Sequence, residues 1–138
     1  MKVKEVLNYN RIIKAIIDNA NDVNSLVKFK LLGMLKQFEP IVANFETIRD
    51  EKIVKYGKTT EDGQTAIIPP KKDDFENDEE FEKASKEYED IIKKFTSEMD
   101  EVLDSEIDIE IKKFNYDDIM NAGVPSDYLV AIYGLIEE

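Results

Sequence analysis

Residues 27–48 read VKFKLLGMLKQFEPIVANFETI, and this stretch decides the fold because its apolar residues recur at steps of three and four. Such steps place the side chains on one face of a helix, and that face must be buried against another element. Residues 81–102 carry a second set with the same spacing, so the sequence predicts two long helices that pack as an antiparallel hairpin. The two sets are Val27, Leu31, Met34, Phe38, Ile41, Phe45 and Ile48, then Phe81, Ala84, Tyr88, Ile91, Phe95, Met99 and Val102.

The boundaries of both helices are indicated by their flanking residues. The first helix is predicted from about residue 23 to Tyr56 and ends at Gly57, with Asn21, Asp22 or Asn24 as its cap. Pro40 lies in its middle, and because the apolar spacing continues on both sides, we expect a kink there and not a break. The second helix is predicted over residues 78–103 and begins among acidic residues, which suit the positive end of a helix dipole.

The remaining segments predict a small sheet and short helices. Residues 1–7 and 106–111 are predicted strands, the second because Ile107, Ile109 and Ile111 alternate with acids. If these strands pair, lysines of the first lie opposite acids of the second. Residues 9–19 form a predicted short helix, and residues 57–75 a hairpin-like loop with a turn at Asp62-Gly63.

Near the C-terminus, residues 115–121 are predicted to form a helical turn closed by Gly123, and Ser126 is predicted to cap a final helix. The expected fold is therefore α+β and mostly helical. It combines an antiparallel long-helix hairpin with a sheet of two or three strands and short terminal helices, in a single domain over residues 1–138.

Composition excludes several kinds of chemistry. The chain has 138 residues, of which 42% are hydrophobic, and it contains neither Cys nor His. Disulfides, thiolate nucleophiles, the usual zinc ligands and the common proton shuttle near neutral pH are therefore missing. The sequence predicts no catalytic residue, no cofactor and no metal site. We also expect no signal peptide and no membrane span, because no apolar stretch approaches about 20 residues.

The charge of the chain is strongly negative and localised. The formal net charge is −12, and residues 73–110 hold 17 Asp and Glu against four Lys. This balance argues against direct binding to nucleic acid or to an anionic membrane. A protein partner is instead expected to contact the exposed acids of the second long helix and an apolar pair in the preceding loop that is also expected to be exposed. These candidate partner-binding residues are Glu79, Glu80, Glu82, Glu87, Glu89, Asp90, Ile67 and Ile68.

Three motifs that resemble chemical sites are weak. The acids of residues 73–82 lack the glycine and ligand spacing of a calcium loop. The acids of residues 98–110 fall on solvent-facing positions and not in a cleft, so they are not expected to be catalytic. Gly57-Lys58-Thr59 follows a helix and lacks the upstream glycine of a phosphate-binding loop.

Three stretches carry a family resemblance. They are the opening MKVKEV, the helix end EKIVKYG at residues 51–57, and LDSEIDIEI at residues 103–111 with the terminal LIEE. In these stretches the chain resembles a group of small uncharacterised proteins encoded by tailed phages and prophages of Gram-positive bacteria. The resemblance implies a viral origin and a helical hairpin combined with a small sheet. It implies no established activity and transfers no functional residues.

Together these features predict a non-enzymatic, phage-encoded interaction module that binds a phage or host protein in the cytoplasm of the host bacterium. One alternative is an acidic inhibitor of a host nucleic-acid-handling defence system, in which residues 73–110 imitate phosphates. A second alternative is a structural or assembly-chaperone component of the virion. Self-association into a homo-oligomer is left open by the sequence.

Overall fold

The computed structural model describes residues 1–137 and is mostly helical. Its helices are α1 (Val3–Asn19), α2 (Ser25–Tyr56), α3 (Asp78–Leu103), α4 (Tyr116–Met120) and α5 (Ser126–Ala131), with 3₁₀ turns at Lys72–Asp74 and Tyr133–Leu135. Two short strands, β1 (Lys58–Thr59) and β2 (Thr65–Ala66), form an antiparallel sheet. The predicted fold class, a mostly helical α+β protein with long helices and a small sheet, is confirmed.

The chain divides into two compact units, which are described separately. The first, here called the core unit, contains Met1–Ala43 and the segment from Asp104 onward. The second, here called the loop unit, is Asn44–Leu103. Helix α2 contributes its first part to the core unit and its last part to the loop unit.

The core unit is built around the first half of α2. The inner side of this half packs with α1 and with the C-terminal segment in one apolar cluster. Each part contributes a fully buried side chain: Ile13 from α1, Leu31 from α2 and Phe114 from the C-terminal segment. The buried members of the cluster are Val6, Ile12, Ile13, Ile16, Val27, Leu31, Met34, Phe38, Phe114, Ile119, Ala122, Val124, Ile132, Leu135 and Ile136.

The structure corrects the predicted partner of the α2 apolar face. Val27, Leu31, Met34 and Phe38 are buried as expected, but among the described residues their cluster contains no residue of α3. The short C-terminal elements cover this face, and they were not recognised as core because five- and six-residue helices show too little periodicity. The prediction of an α2–α3 hairpin is therefore wrong for the first half of the α2 face.

The predicted N-terminal strand is also wrong, because α1 begins at Val3. Val3 and Val6 are buried, and they extend by a step of three the apolar face that continues to Ile13. The Lys2 N–H donates to the Glu5 carboxylate at 3.0 Å, which satisfies a free backbone donor at the helix start. The helical spacing of Val3, Val6 and Ile13 is therefore a better indicator of the structure here than the strand-like alternation of charged and apolar residues at positions 2–4.

Residues 106–111 form no strand: only Glu106 bridges, with Lys2 as its partner, and the Ile109 N–H donates to the Ile107 carbonyl oxygen at 3.1 Å in a tight turn. The backbone bonds of the Lys2–Glu106 contact run from Val3 N–H to Ser105 O at 3.1 Å and from Ile107 N–H to Met1 O at 2.8 Å. Because a helix begins at residue 3, no neighbouring strand is present to extend the pairing. The alternation itself is retained, since the three isoleucines at 107, 109 and 111 are half-buried and the acids between them are exposed.

Charge pairing across this contact holds the N-terminus of α1. Lys4 Nζ lies 2.8 Å from Asp104 Oδ1, and the terminal ammonium lies 3.1 Å from Glu106 Oε2. The Lys4 hydrogen bond lowers the pKa of the Asp104 carboxyl, with help from the positive charge of Lys4.

The sheet of the protein lies in the loop unit. Lys58 pairs with Ala66, and Thr59 pairs with Thr65. The turn between them contains Asp62-Gly63 as predicted, and Gly63 has a φ of 82°, which glycine adopts without steric cost. The predicted hairpin-like loop is therefore a short β-hairpin.

Caps define the ends of the long helices. The Asn24 side chain accepts from Val27 N–H at 3.0 Å at the start of α2, and the Asn77 side chain accepts from Glu80 N–H at 2.9 Å at the start of α3. Helix α2 contains Pro40 and ends at Tyr56, and α3 has the predicted bounds. At the end of α2, a Cβ on Gly57 would lie 2.8 Å from the Ala66 carbonyl oxygen, so the hairpin packs directly on the helix end.

In the C-terminal segment, Asn115 caps α4 by accepting from the N–H groups of residues 117 and 118. Gly123 has a φ of 85°, and a Cβ there would lie 2.2 Å from the Asp22 carbonyl oxygen. This close approach fixes the α1–α2 connection against the α4–α5 connection. Ser126 was predicted to cap α5 but is the first residue of the helix. Pro125, with φ −58° and ψ 147°, occupies the cap position instead. The proline ring fixes φ near this value.

The inner and outer sides of α2 predict opposite responses to truncation. Phe38 is fully buried, so we expect Phe38→Ala to lower the free energy of unfolding by about 3–5 kcal/mol, through lost burial and a residual cavity. Phe29 is 74% exposed, so Phe29→Ala is expected to change it by less than about 0.5 kcal/mol. Urea titrations followed by circular dichroism measure both values, and equal effects would contradict the assigned orientation of α2.

Candidate interaction surfaces

The six predicted acidic residues all lie on α3 and are all exposed. None of them forms an ion pair within residues 1–137, although Lys72 Nζ approaches the neighbouring Asp78 at 3.7 Å. Three of them, with Asn77, Lys83 and Lys86, line an open depression along one side of the helix. The structure therefore brings these acids onto one helix. They are Glu79, Glu80, Glu82, Glu87, Glu89 and Asp90.

The acids do not form one continuous negative strip. Residues 79, 83, 86 and 90 follow steps of four, three and four, so Lys83 and Lys86 lie on the same outer line as Glu79 and Asp90. The other four acids fall on the two sides of this line. A mixed surface of this kind is typical of a solvated helix face and differs from the regular spacing of backbone phosphates.

The predicted apolar pair follows strand β2 in the loop unit. Ile68 is 45% exposed, whereas Ile67 is half-buried. The expectation that both are exposed is therefore wrong for Ile67. Its side chain faces the protein because neighbouring residues of an extended segment point to opposite sides. A single exposed isoleucine is common on protein surfaces and makes no patch.

A polar cluster joins the end of α2 to α3 within the loop unit. The Tyr56 hydroxyl donates to Glu98 Oε1 at 2.8 Å, Lys52 Nζ lies 3.3 Å from Glu98 Oε2, and Lys55 Nζ lies 3.7 Å from Oε1. Both Lys52 and Glu98 are about two-thirds buried, with side-chain exposures of 29% and 32%. The Tyr56 hydrogen bond, followed by the Lys52 ion pair and the nearby positive charges, lowers the pKa of the Glu98 carboxyl.

This cluster is suited to holding two helices together and not to acid–base chemistry. A carboxylate whose pKa is lowered stays ionised at neutral pH, so it has no proton to donate as a general acid. Its Oε1 accepts the tyrosine hydrogen bond, and its Oε2 lies within ion-pair distance of Lys52 but accepts no hydrogen bond within residues 1–137. We therefore assign Glu98 a structural role in the loop unit.

The sequence predictions missed an exposed apolar surface of the core unit, which is the outer side of α2. Leu26, Phe29 and Leu32 are 62%, 74% and 44% exposed. Gly33 and Pro40 are also exposed and lie on the same side. We define the α2 outer face as Leu26, Phe29, Leu32, Gly33, Lys36 and Pro40.

The α2 outer face follows a helical spacing of its own. Positions 26, 29, 33, 36 and 40 are separated by steps of three and four, so they form one line along the helix. From residue 26 to residue 40 this line is about 21 Å long, at about 1.5 Å per residue. The sequence contains this signal, but the larger inner set at residues 27–41 follows the same spacing and obscures it.

Glycine at the centre of this line is unusual. A Cβ on Gly33 would meet no atom within 4 Å, so neither packing nor backbone conformation in the described structure requires glycine there. A glycine in a helix interior costs about 1 kcal/mol relative to alanine. Its use at an exposed position is explained if another backbone approaches α2 closely at that point.

The charges beside the first part of the α2 outer face are all positive, and Glu39 adjoins Pro40 at its end. Residues 23–38 contain Lys28, Lys30 and Lys36 and no acid. None of the three lysines belongs to an ion pair among residues 1–137. An apolar line bordered by unpaired lysines is thus present in a chain whose net charge is −12.

Residues 1–137 contain neither a candidate metal-ion cluster nor a candidate membrane-spanning helix. Residues 1–137 contain no cluster of three or more acidic side chains placed to hold a metal ion. In the same part of the chain, no helix has both the length and the apolar composition needed to cross a membrane.

Comparison with known proteins identified no relative: the chain matches no family model, and no curated protein or solved structure is detectably similar to it. The resemblance to small phage proteins therefore stays a prediction.

The Glu98 cluster predicts a pH-dependent contribution to stability. Because the folded-state pKa of Glu98 is lowered from 4.5, its ionised form stabilises the fold above that value, and this contribution is lost as the pH falls through the folded-state pKa. Glu98→Gln should therefore lower the melting temperature at pH 7, and its difference from the native chain should shrink toward pH 3.

Thermal unfolding followed by circular dichroism between pH 3 and 8 measures this difference. Glu101→Gln is the matched control, since it removes an exposed carboxylate of the same helix that forms no ion pair in residues 1–137. A Glu98→Gln difference that is constant with pH would contradict the assigned role.

Proposed function

We propose that the protein is a non-enzymatic protein-interaction module and that it contacts its partner through the α2 outer face. The exposure of Leu26, Phe29 and Leu32 on one side of a well-packed helix carries the proposal. The inner side of α2 is already covered by the core unit, whereas Leu26, Phe29 and Leu32 leave apolar surface exposed on its outer side. Its outer side is therefore the surface that a partner would cover.

The available side chains support a binding role and not a catalytic one. The chain has no Cys and no His, and Glu98, which has a lowered pKa, is held by Tyr56 and two lysines. The partner would be a phage or host protein if the resemblance to phage-encoded proteins reflects a shared origin. A component of the virion is one form that this role could take.

A second candidate function, the inhibition of a host nucleic-acid-handling protein by phosphate mimicry, is favoured by the six exposed, unpaired acids of α3. It is the weaker candidate because Lys83 and Lys86 interrupt their outer line. Charge reversal of Glu79, Glu80, Glu82, Glu87 and Glu89 to Lys should abolish binding to such a partner, and binding of the native chain should weaken steeply with salt. Affinity that survives the reversal would exclude this candidate.

The proposed function predicts a position-specific cross-link. The photoreactive amino acid benzoylphenylalanine in place of Phe29 should give a covalent product with another protein when the full chain is expressed in a Gram-positive host and irradiated. The same label at Glu101, on the outer side of α3, should not give that product. Mass spectrometry of the product identifies the partner.

Changing Leu26 and Leu32 to Ser should reduce the yield of this product about tenfold or more, since each leucine loses its apolar contact with the partner. Both residues are exposed, so circular dichroism should show an unchanged fold. Products that are identical for labels at positions 29 and 101 would contradict the proposed function.

A further inference from the structure

The α2 outer face also indicates what kind of partner it accepts. We propose that it binds an acidic amphipathic helix of a different protein, which lies along α2 with its backbone closest to Gly33. This inference rests on the proposed function and adds the shape and the charge of the partner. It is argued from three features of the core unit, namely the spacing of the apolar residues, the exposed glycine and the neighbouring lysines.

The spacing fits a helical occupant. Side chains at steps of three and four form ridges, and a second helix packs its own ridge into the groove beside them at an interaxial distance of about 8–10 Å. Leu26 and Phe29 precede Gly33, and Pro40 follows it by two turns, so the large side chains stand at one end of the line and the middle is open. An extended peptide would need a sheet edge to satisfy its backbone, and α2 offers none.

Gly33 marks the point of closest approach. Its Cα is exposed, and the absence of a side chain leaves a gap between Phe29 and Lys36 on the outer line. A partner backbone can enter this gap, which any larger residue would fill. The destabilising effect of a helical glycine is then offset by contact in the complex.

The lysines determine the charge of the occupant. Lys36 lies on the outer line and Lys28 and Lys30 lie on its two sides, and the three have no ion-pair partner among residues 1–137. Carboxylates on the flanks of a partner helix would pair with them, whereas lysines there would be repelled. Charge complementarity of this type selects partners and fixes their register.

A second copy of this chain does not meet these requirements. In a twofold contact the same face meets itself, so the lysines of one copy would lie against those of the other. A contact between the α2 outer face and the acidic helix α3 of another copy is heterologous, and it gives a closed assembly only if its rotation closes. Moreover, none of the large apolar side chains exposed in residues 1–137 belongs to α3, so α3 offers no apolar ridge.

The test uses the full-length, ¹⁵N-labelled protein and three synthetic 21-residue peptides. The first is a designed amphipathic helix with leucines at steps of three and four and glutamates on both flanks. The second has lysines in place of the glutamates, and the third keeps the glutamates but has serines in place of the leucines. Binding is measured from amide chemical-shift changes and by calorimetry at physiological ionic strength.

We expect the glutamate–leucine peptide to bind with shift changes centred on residues 25–40. The lysine–leucine peptide should bind at least tenfold more weakly, and the glutamate–serine peptide should show no measurable binding. Equal binding of the first two peptides would overturn the charge assignment. Absence of binding by all three would overturn the inference.

Variants of the protein separate the charge from the close approach. Changing Lys28, Lys30 and Lys36 together to Glu should reverse the preference, so that the lysine–leucine peptide binds more tightly. Gly33→Leu should weaken binding of the glutamate–leucine peptide at least tenfold while leaving the melting temperature unchanged or higher. Asp100→Lys with Glu101→Lys, at exposed positions of α3, is the matched control and should leave binding unchanged. Failure of the preference to reverse, or full binding by Gly33→Leu, would overturn the inference.

Analytical ultracentrifugation of the native chain and of Phe29→Ser decides the case of a second copy. A dimer that dissociates in Phe29→Ser would overturn the inference of a different, acidic partner.

The proposed function is tested separately, since it requires a cross-linked partner at position 29. A cross-linked partner that presents a basic or non-helical surface would overturn this inference and leave the proposed function supported.

Discussion

The structure of the core unit depends on burial of the inner side of α2 between residues 27 and 38. Leu31 and Phe38 are fully buried there, and α1 and the C-terminal segment supply the other walls of the same cluster. The C-terminal segment has only short helices and 3₁₀ turns, which are marginal on their own. Their apolar residues, including Phe114, Ile119 and Leu135, are stabilised because α2 provides a long, regular surface against which they pack.

The length of each helix or strand determines how well it could be predicted from the sequence. The bounds of α2 and α3 were predictable because their periodicity continues over many turns and because Asn24, Gly57 and Asn77 provide local end signals. For the contact between residues 2 and 106, the sequence indicated only that lysines of the first segment could lie opposite acids of the second and that both segments alternate apolar and charged residues. Whether Val3 starts a strand or a helix depends on Val6 and Ile13, which match a helical spacing across the boundary.

The partner of the α2 inner face could not be predicted, because apolar periodicity specifies a buried side but not what buries it. The candidate site illustrates the same limit. Positions 26, 29, 33, 36 and 40 follow the same steps of three and four as positions 27, 31, 34, 38 and 41. Only the tertiary structure shows that the second set is covered and the first is exposed. The acids of α3 were correctly expected to be exposed, but their interruption by Lys83 and Lys86 becomes evident only when the residues are placed around the helix.

The distribution of charge gives the two exposed helix faces different physical roles. A net charge of −12 keeps copies of the chain apart, and most of that charge lies in residues 73–110, away in sequence from the α2 outer face. An exposed apolar line is an aggregation hazard, and lysines beside it reduce contact between like copies without removing its affinity for a negatively charged partner. The same residues therefore limit self-association and favour a complementary helix.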